Sequence, residues 1–133
     1  MKSGSLLDSF ALLAYLKREG GFESVSNLLR SARARREPLL MNEVNIGEVY
    51  YSLAKSGSIA RAEAFLKRLH TLPIQPLPNT LAQVLDAARL KAQFPISYAD
   101  AFAVATAQRE NATLVTGDRE LHAIENLVHI LWI

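Results

Sequence analysis

Short apolar runs alternate along this chain with longer segments in which apolar residues recur every three or four positions. The short runs are typical of buried strands, whereas the second spacing places apolar side chains on one face of a helix. The runs predict strands over residues 4–7, 39–41, 112–116 and 127–133. The spaced segments predict helices over residues 10–17, 22–34, 44–55, 59–69, 81–93 and 98–110, and a short helix that begins at Asp118. This alternation predicts an α/β fold in which a mostly parallel sheet is flanked by helices.

Turn and cap residues support these boundaries. Ser58 and Ser97 each precede a predicted helix and can cap it, and Thr80 with Gln83 forms a capping-box pair. The segment TLPIQPLP, residues 71–78, holds three prolines in six positions. Because proline cannot donate to a neighbouring strand, this segment predicts a fifth strand at a sheet edge only.

Length and composition narrow the class of protein. A chain of 133 residues fits one domain, which we expect to cover residues 1–133. The absence of cysteine excludes disulfides and thiolate zinc sites, and it is consistent with a cytoplasmic protein. The apolar stretch at the start is short and carries Asp8, so we expect no signal peptide, and no run is long enough for a membrane helix. A net charge of +2 with a pI near 9.1 favours a polyanionic partner only mildly.

Four carboxylates stand at informative positions. Asp8, Asp100 and Asp118 lie where a predicted strand meets a helix or just inside a helix start. In a parallel α/β sheet, ligands bind at the edge where the strands end. Carboxylates that converge there repel one another unless a positive group lies between them. A divalent metal is the usual solution, and it indicates phosphate chemistry.

Each aspartate also has a structural explanation. Asp8 can cap the first helix, although Ser9 could do so alone and leave Asp8 free for the cleft. Asp100 completes a capping-box pattern with Ser97, and Asp118 can cap the short helix that follows it. The helix after Asp100 is nevertheless apolar almost all round, which predicts that it is buried and that its first turn opens on a site.

The fourth carboxylate, Glu48, lies inside a helix. It shares an apolar stripe with Val44 and Tyr51, and a charge on such a stripe needs a partner or a metal. Glu43 is the rival candidate on the same helix. Its position near the helix start already has an explanation, because negative charge is favourable there.

The same segments carry a family resemblance over essentially the full chain. They are LLDSFALLAYL, MNEVNIGEVYYSL, ISYADAFAVATAQ, ATLVTGDREL and the closing VHILWI. In order and spacing they resemble the PIN-domain ribonucleases, in particular the VapC-type toxins of toxin–antitoxin pairs. The resemblance implies a single PIN-like domain with a five-stranded sheet.

By this resemblance, four acidic positions form the catalytic and metal-binding site. They are Asp8, Glu48, Asp100 and Asp118. Of these, Asp8 and Asp100 are expected as central ligands. Ser9 and Thr116 match positions where the family carries hydroxyl groups, and Glu120 falls at a frequently acidic position. Phe10 departs from the pattern, because many relatives have a small polar residue there.

The implied activity is hydrolysis of RNA by a water that Mg²⁺ activates, with Mn²⁺ able to substitute. The implied partners are RNA, a cognate VapB-type antitoxin and a second copy of the chain in a homodimer. The alternative is a non-catalytic RNA-binding or protein-interaction PIN domain, which would be expected to have lost at least one of the four acids. A haloacid-type phosphatase needs a second acid where this chain has Phe10.

A basic run, RSARARRE, ends the second predicted helix. Cations at a helix C-terminus complement its dipole, and this alone can explain the run. The sharper hypothesis is that Arg33 and Arg35 guide RNA phosphates towards the cleft.

Overall fold

Five strands, all parallel, form one sheet in the computed structural model, which describes residues 4–133. They are β1 (Ser5–Leu7), β2 (Leu39–Asn42), β3 (Ile74–Leu77), β4 (Thr113–Thr116) and β5 (Ile130–Trp132). Their order is β3-β2-β1-β4-β5. The predicted α/β fold is confirmed, and β3 lies at an edge, as its prolines required. The first three residues of the expected domain lie outside the described range.

Within residues 4–133, six α-helices and one 3-10 helix connect the strands. They are α1 (Ser9–Leu16), α2 (Phe22–Arg35), α3 (Glu43–Ser56), α4 (Ile59–Leu69), α5 (Leu81–Gln93), α6 (Tyr98–Glu110) and the 3-10 helix Arg119–Ile124. The predicted caps are confirmed. The Ser58 hydroxyl accepts from the Arg61 amide at 3.1 Å, and the Ser97 hydroxyl accepts from the Asp100 amide at 3.1 Å. Thr80 and Gln83 form the predicted reciprocal pair.

The sheet separates two apolar cores, because successive side chains of a strand point to opposite faces. Leu7, Met41 and Val115 face a core built with α1, α2, α3 and α4. Leu6 and Leu114 face the second core, which α5, α6 and the 3-10 helix cover. Residues 100–107 of α6 are all buried, which confirms the prediction made from its apolar composition.

The chain places β2 and β3 on one side of β1, and β4 and β5 on the other side. The connections therefore change direction between β1 and β4, which is the switch point of the sheet. These two strands pair in register from Ser5 with Thr113 to Leu7 with Val115. Because all strands are parallel, the residues that follow them emerge at one edge, the carboxyl edge of the sheet. Asp8 therefore lies next to Thr116 at the point where a doubly wound sheet leaves an open crevice.

No helix among residues 4–133 has the length and apolar character that crossing a membrane requires.

Candidate metal centre

Asp8 ends β1 and is the N-cap of α1. One of its oxygens, Oδ1, accepts from the Ala11 amide at 2.9 Å, and the other, Oδ2, accepts a hydrogen bond from the Thr116 hydroxyl. The side chain is completely buried. Of the two capping residues that the sequence offered, Asp8 is the cap, because Asp8 has extended backbone and Ser9 is already the first helical residue. Asp8 therefore caps the helix with one oxygen and contacts Thr116, at the end of β4, with the other.

Thr116 joins the ends of β1 and β4. Its Oγ1 donates to Asp8 and accepts from the Asp118 amide at 3.0 Å. Asp118 in turn starts the 3-10 helix, where its Oδ1 accepts from the Glu120 amide at 3.0 Å. The hydroxyl predicted at this position thus holds the carboxylate of Asp8 and the backbone amide of Asp118 at once. Within residues 4–133, the hydroxyl of Ser9 makes no hydrogen bond to these carboxylates.

Three carboxylates lie within ligand distance of a common point. One oxygen each from Asp100, Asp118 and Glu120 lies within 4.8 Å of the other two. Asp100 is 5% exposed, Asp118 is half-buried and Glu120 is exposed. In the described part of the chain, no lysine, arginine or histidine forms an ion pair with any of them. Among residues 4–133, no cationic side chain therefore pairs with the cluster.

Helix α3 adds two buried acceptors to this region. Glu48 Oε1 and Asn45 Oδ1 are buried, and neither has a hydrogen-bond donor among residues 4–133. Asn45 donates from Nδ2 to the Ala99 carbonyl at 3.0 Å, which holds α3 against the start of α6. Residues three apart share one face of a helix, so both side chains lie on the same face of α3. A buried acceptor without a donor is costly unless a cation or water satisfies it.

The pKa values show that the acids act on one another. Burial raises the pKa of Asp8 to about 7, and the charges of Asp100 and Asp118 add to the rise, although the bonds from Thr116 and Ala11 oppose it. The pKa of Asp100 is raised to about 6, first by burial and then by the charge of Asp118.

Glu48 and Glu120 also raise the pKa of Asp100 through their charges. Four of these acidic residues from four chain segments, Asp8, Glu48, Asp100 and Asp118, therefore belong to one electrostatic unit. They are the residues that the sequence singled out, and the structure brings them together.

The donor set fits a hard divalent cation. Carboxylate and amide carbonyl oxygens are the ligands that Mg²⁺ and Mn²⁺ prefer. Asp100, Asp118 and Glu120 could hold such an ion directly, and Glu48 and Asn45 offer the unpaired oxygens. Both oxygens of Asp8 already accept a hydrogen bond, so Asp8 could bind only through its remaining lone pairs.

The sequence analysis did not single out two asparagines of this region. The first is Asn45. The second is Asn42, which is fully buried at the end of β2. Asn42 donates from Nδ2 to Asn79 at 2.7 Å and to Thr106 at 2.9 Å, and its Oδ1 caps α3 by accepting from the Val44 amide. It thereby ties β2 to the loop after β3 and to α6. The spacing Asn45-x-x-Glu48 on an apolar stripe was the available signal for Asn45.

The arginines do not join this site. Arg33 donates to the Thr71 carbonyl at 2.9 Å. Arg35 lines a cavity with Gly4, Ser5 and Leu39, at the amino ends of β1 and β2. Both arginines thus lie at the opposite edge of the sheet from the carboxylates, and their contact with RNA stays a hypothesis.

Glu43, the rival to Glu48, is exposed in the first turn of α3. This placement agrees with its helix-dipole explanation.

The fold and the carboxylates define an α/β domain with an acidic site at the carboxyl edge of a parallel sheet. Residues 5–127 match the PIN domain family. The chain belongs to that family.

Solved structures share the whole fold. VapBC2 of Rickettsia felis, bound to a DNA fragment from its promoter, has a TM-score of 0.76 at 16% identity over 98% of both chains. VapC20 of Mycobacterium tuberculosis, a sarcin-ricin loop cleaving toxin, has a TM-score of 0.71 at 13% identity over 90% of this chain and 93% of its own. PAE2754 of Pyrobaculum aerophilum reaches 0.67 at 21% identity over 98% and 92%. At these identities the likeness establishes the fold. No curated protein matches the chain.

Proposed function

We propose that this chain is a metal-dependent ribonuclease of the VapC type, which hydrolyses phosphodiester bonds in RNA. The observation that carries the proposal is the convergence of uncompensated carboxylates at the switch point of the sheet. Oxygens of three of them lie within 4.8 Å of one another, and two buried acceptors beside them lack donors among residues 4–133. Membership of the PIN domain family supports the same activity.

The residues of the site would have different roles towards the cation. Asp100, Asp118 and Glu120 would hold the cation, and Glu48 and Asn45 would complete or orient its surroundings. When bound, a divalent cation neutralises charge on the phosphate and lowers the pKa of a coordinated water. Of Mg²⁺ and Mn²⁺, both of which suit the oxygen donors, we propose Mg²⁺ as the ion in the cell.

Asp8 has a positioning role besides any contact with the cation. Its two oxygens hold the Ala11 amide and the Thr116 hydroxyl, so the N-terminus of α1 and the end of β4 cannot separate. Thr116 passes this constraint to Asp118 through its amide. A fixed set of charges suits catalysis because little reorganisation is needed as the phosphate changes charge.

The test is RNA cleavage with and without the metal. Purified wild-type protein should cleave structured RNA in Mg²⁺ or Mn²⁺ and not in EDTA, and Asp100→Asn should lose the activity. Asp86→Asn is the matched control, because Asp86 is exposed on α5 and pairs with Arg89 at 3.1 Å. Products should carry 5′-phosphate ends.

Two results would count against this proposal. Ends with a 2′,3′-cyclic phosphate would instead indicate attack by the ribose hydroxyl. Metal-dependent RNA binding without any cleavage would favour the alternative, a non-catalytic RNA-binding PIN domain.

We further propose that a VapB-type antitoxin restrains the enzyme in the cytoplasm and that the toxin is a homodimer. The fold is shared with VapBC2 of Rickettsia felis and with the DNA-bound VapBC of Salmonella typhimurium. Co-expression with the product of an adjacent small gene should relieve growth inhibition and yield a stable complex. Light scattering of the toxin alone should give twice the mass of one chain, and a monomer would contradict the homodimer.

A further inference from the structure

Phe10 is an exposed aromatic side chain at the wall of the carboxylate site. It is the second residue of α1 and is 42% exposed, although its neighbours Ser9 and Ala11 are buried. Its ring lies directly against Gly117, where an added Cβ would come within 2.3 Å of Cε1. Gly117 is the residue between Thr116 and Asp118. The ring is therefore in contact with the residue that follows β4, while part of it stays exposed to solvent.

A groove begins at this ring. It has a cavity volume of about 330 Å³, and its lining residues are Phe10, Leu13, Ala14, Lys17, Glu19 and Gly20. Phe10, Leu13 and Ala14 of α1, followed by its C-cap Lys17, have the spacing of one helical face. Lys17 lies about 10 Å along the helix from Phe10, since each residue advances 1.5 Å. The groove thus has an aromatic end near the carboxylates, an apolar floor and a cation at the far end.

We propose that this groove binds one nucleotide of single-stranded RNA beside the phosphate that is cleaved. The base stacks on the open face of Phe10, and Lys17 contacts a phosphate of the same strand. The inference rests on the proposed ribonuclease activity and adds to it a nucleotide subsite outside the carboxylate cluster.

The chemistry favours RNA over a protein segment at this position. Every base has a π-face, so a fixed aromatic ring binds unpaired nucleotides without a sequence requirement. A positioned ring loses little entropy on binding, because Gly117 already restricts it. Glu19 also lines the groove, and its negative charge repels phosphate. Lys17 is the cation in the lining, so we assign the phosphate contact to Lys17. An apolar peptide would leave Lys17 without a negative partner, and that occupant is tested below.

The experiment compares RNA with a strand that has no bases. Fluorescence anisotropy would measure the binding of a random 12-nucleotide single-stranded RNA and of an abasic 12-mer, with Mn²⁺ present. All proteins would carry Asp100→Asn to prevent cleavage. Stacking of one base should give the parent protein roughly a 5- to 150-fold preference for the strand with bases. Phe10→Leu should lose most of that preference, and Phe10→Tyr should keep it.

Lys17→Gln provides a second, independent readout. It should weaken binding of both strands alike and reduce the dependence of log K on log salt by about 1. Leu85→Ala is the control, because it removes an exposed apolar side chain from α5. Helix α5 packs on the face of the sheet opposite α1.

The outcomes separate this inference from the proposed function. If the wild-type enzyme cleaves RNA but Phe10→Leu has unchanged affinity and base preference, the groove does not bind a nucleotide and the ribonuclease proposal stands. The same result, with loss of antitoxin binding in Phe10→Leu, assigns the ring to a protein partner. If the wild type neither cleaves nor binds RNA in Mn²⁺, both proposals fail.

Discussion

Replacing Asp100 by asparagine should stabilise the metal-free protein at neutral and higher pH. The pKa of this carboxyl is raised from 3.8 to about 6, first by burial and then by the charge of Asp118. An acid with a raised pKa contributes stability below its unfolded pKa, and that stability is lost as the pH rises through its folded pKa. The loss for Asp100 therefore runs from about pH 4 to about pH 6 and reaches roughly 3 kcal/mol, at 1.36 kcal/mol per unit.

The asparagine side chain in the Asp100→Asn variant carries no charge at any pH, so the variant escapes this loss. In EDTA, the free energy of unfolding of Asp100→Asn relative to wild type should increase by roughly 2 kcal/mol between pH 4.5 and pH 8. Urea unfolding at the two pH values measures it. Asp86→Asn should show no such change, because Asp86 is exposed and is paired with Arg89 instead of with the cluster.

The same variant should respond less to the metal. At 100 times its dissociation constant, a cation stabilises the folded state by about 2.7 kcal/mol. Manganese should therefore raise the Tm of the wild type, and Asp100→Asn should lose most of that rise. An Asp100→Asn protein that is less stable than wild type by the same amount at both pH values, or that keeps the full manganese response, would refute this reasoning.

Three further predictions concern the residues around the cluster. The metal-free wild type should lose stability as the pH rises from about 4 to about 7, because the pKa of Asp8 is raised from 3.8 to about 7. The loss in the free energy of unfolding from Asp8 is roughly 4 kcal/mol. Millimolar Mn²⁺ should reverse this loss in a pH series of urea melts. Thr116→Val should cost about 1–3 kcal/mol, because Asp8 loses a donor and the Asp118 amide loses an acceptor, whereas Thr116→Ser should retain most of the stability in the same assay. Gly117→Ala should lower the free energy of unfolding by about 1–3 kcal/mol, because the added methyl group displaces the Phe10 ring. In a double-mutant cycle, Phe10→Ala should remove most of that loss. Additive effects of the two substitutions would contradict the contact.

The spacing of apolar residues predicted the helices well, because the burial of one helix face determines that spacing. The predicted helices 59–69, 81–93 and 98–110 agree with α4, α5 and α6 at both ends, since Ser58, Thr80 and Ser97 mark their starts. The strand order was not predictable in this way. An apolar run specifies that a strand is buried on both faces, and it does not specify which strand lies beside it.

The site was partly predictable for a topological reason. Strand ends of a parallel sheet share one edge, so Asp8 and Asp118 had to be neighbours once β1 and β4 were paired. Asn45 was missed because an asparagine inside a helix is equally compatible with solvent exposure, and its burial depends on how α3 packs on α6. The relation of Asn42 to Thr106 likewise depends on tertiary packing.

The placement of Arg33 and Arg35 could have been deduced. A helix that connects two parallel strands returns the chain to the amino edge of the sheet, so the end of α2 must lie there. The carboxylates lie at the other edge. Any contact of these arginines with RNA therefore requires a substrate long enough to pass over the molecule, and the salt dependence of binding by Arg33→Ala with Arg35→Ala would test it.

The most direct test is a crystal structure of the protein with Mn²⁺ at high occupancy, read by anomalous scattering. An anomalous peak should lie between the carboxylates of Asp100 and Asp118, with Glu48 or Asn45 directed towards it. Crystals that show these side chains directed away from one another, or manganese bound only at other places, would contradict the assignment of this cluster as the metal centre.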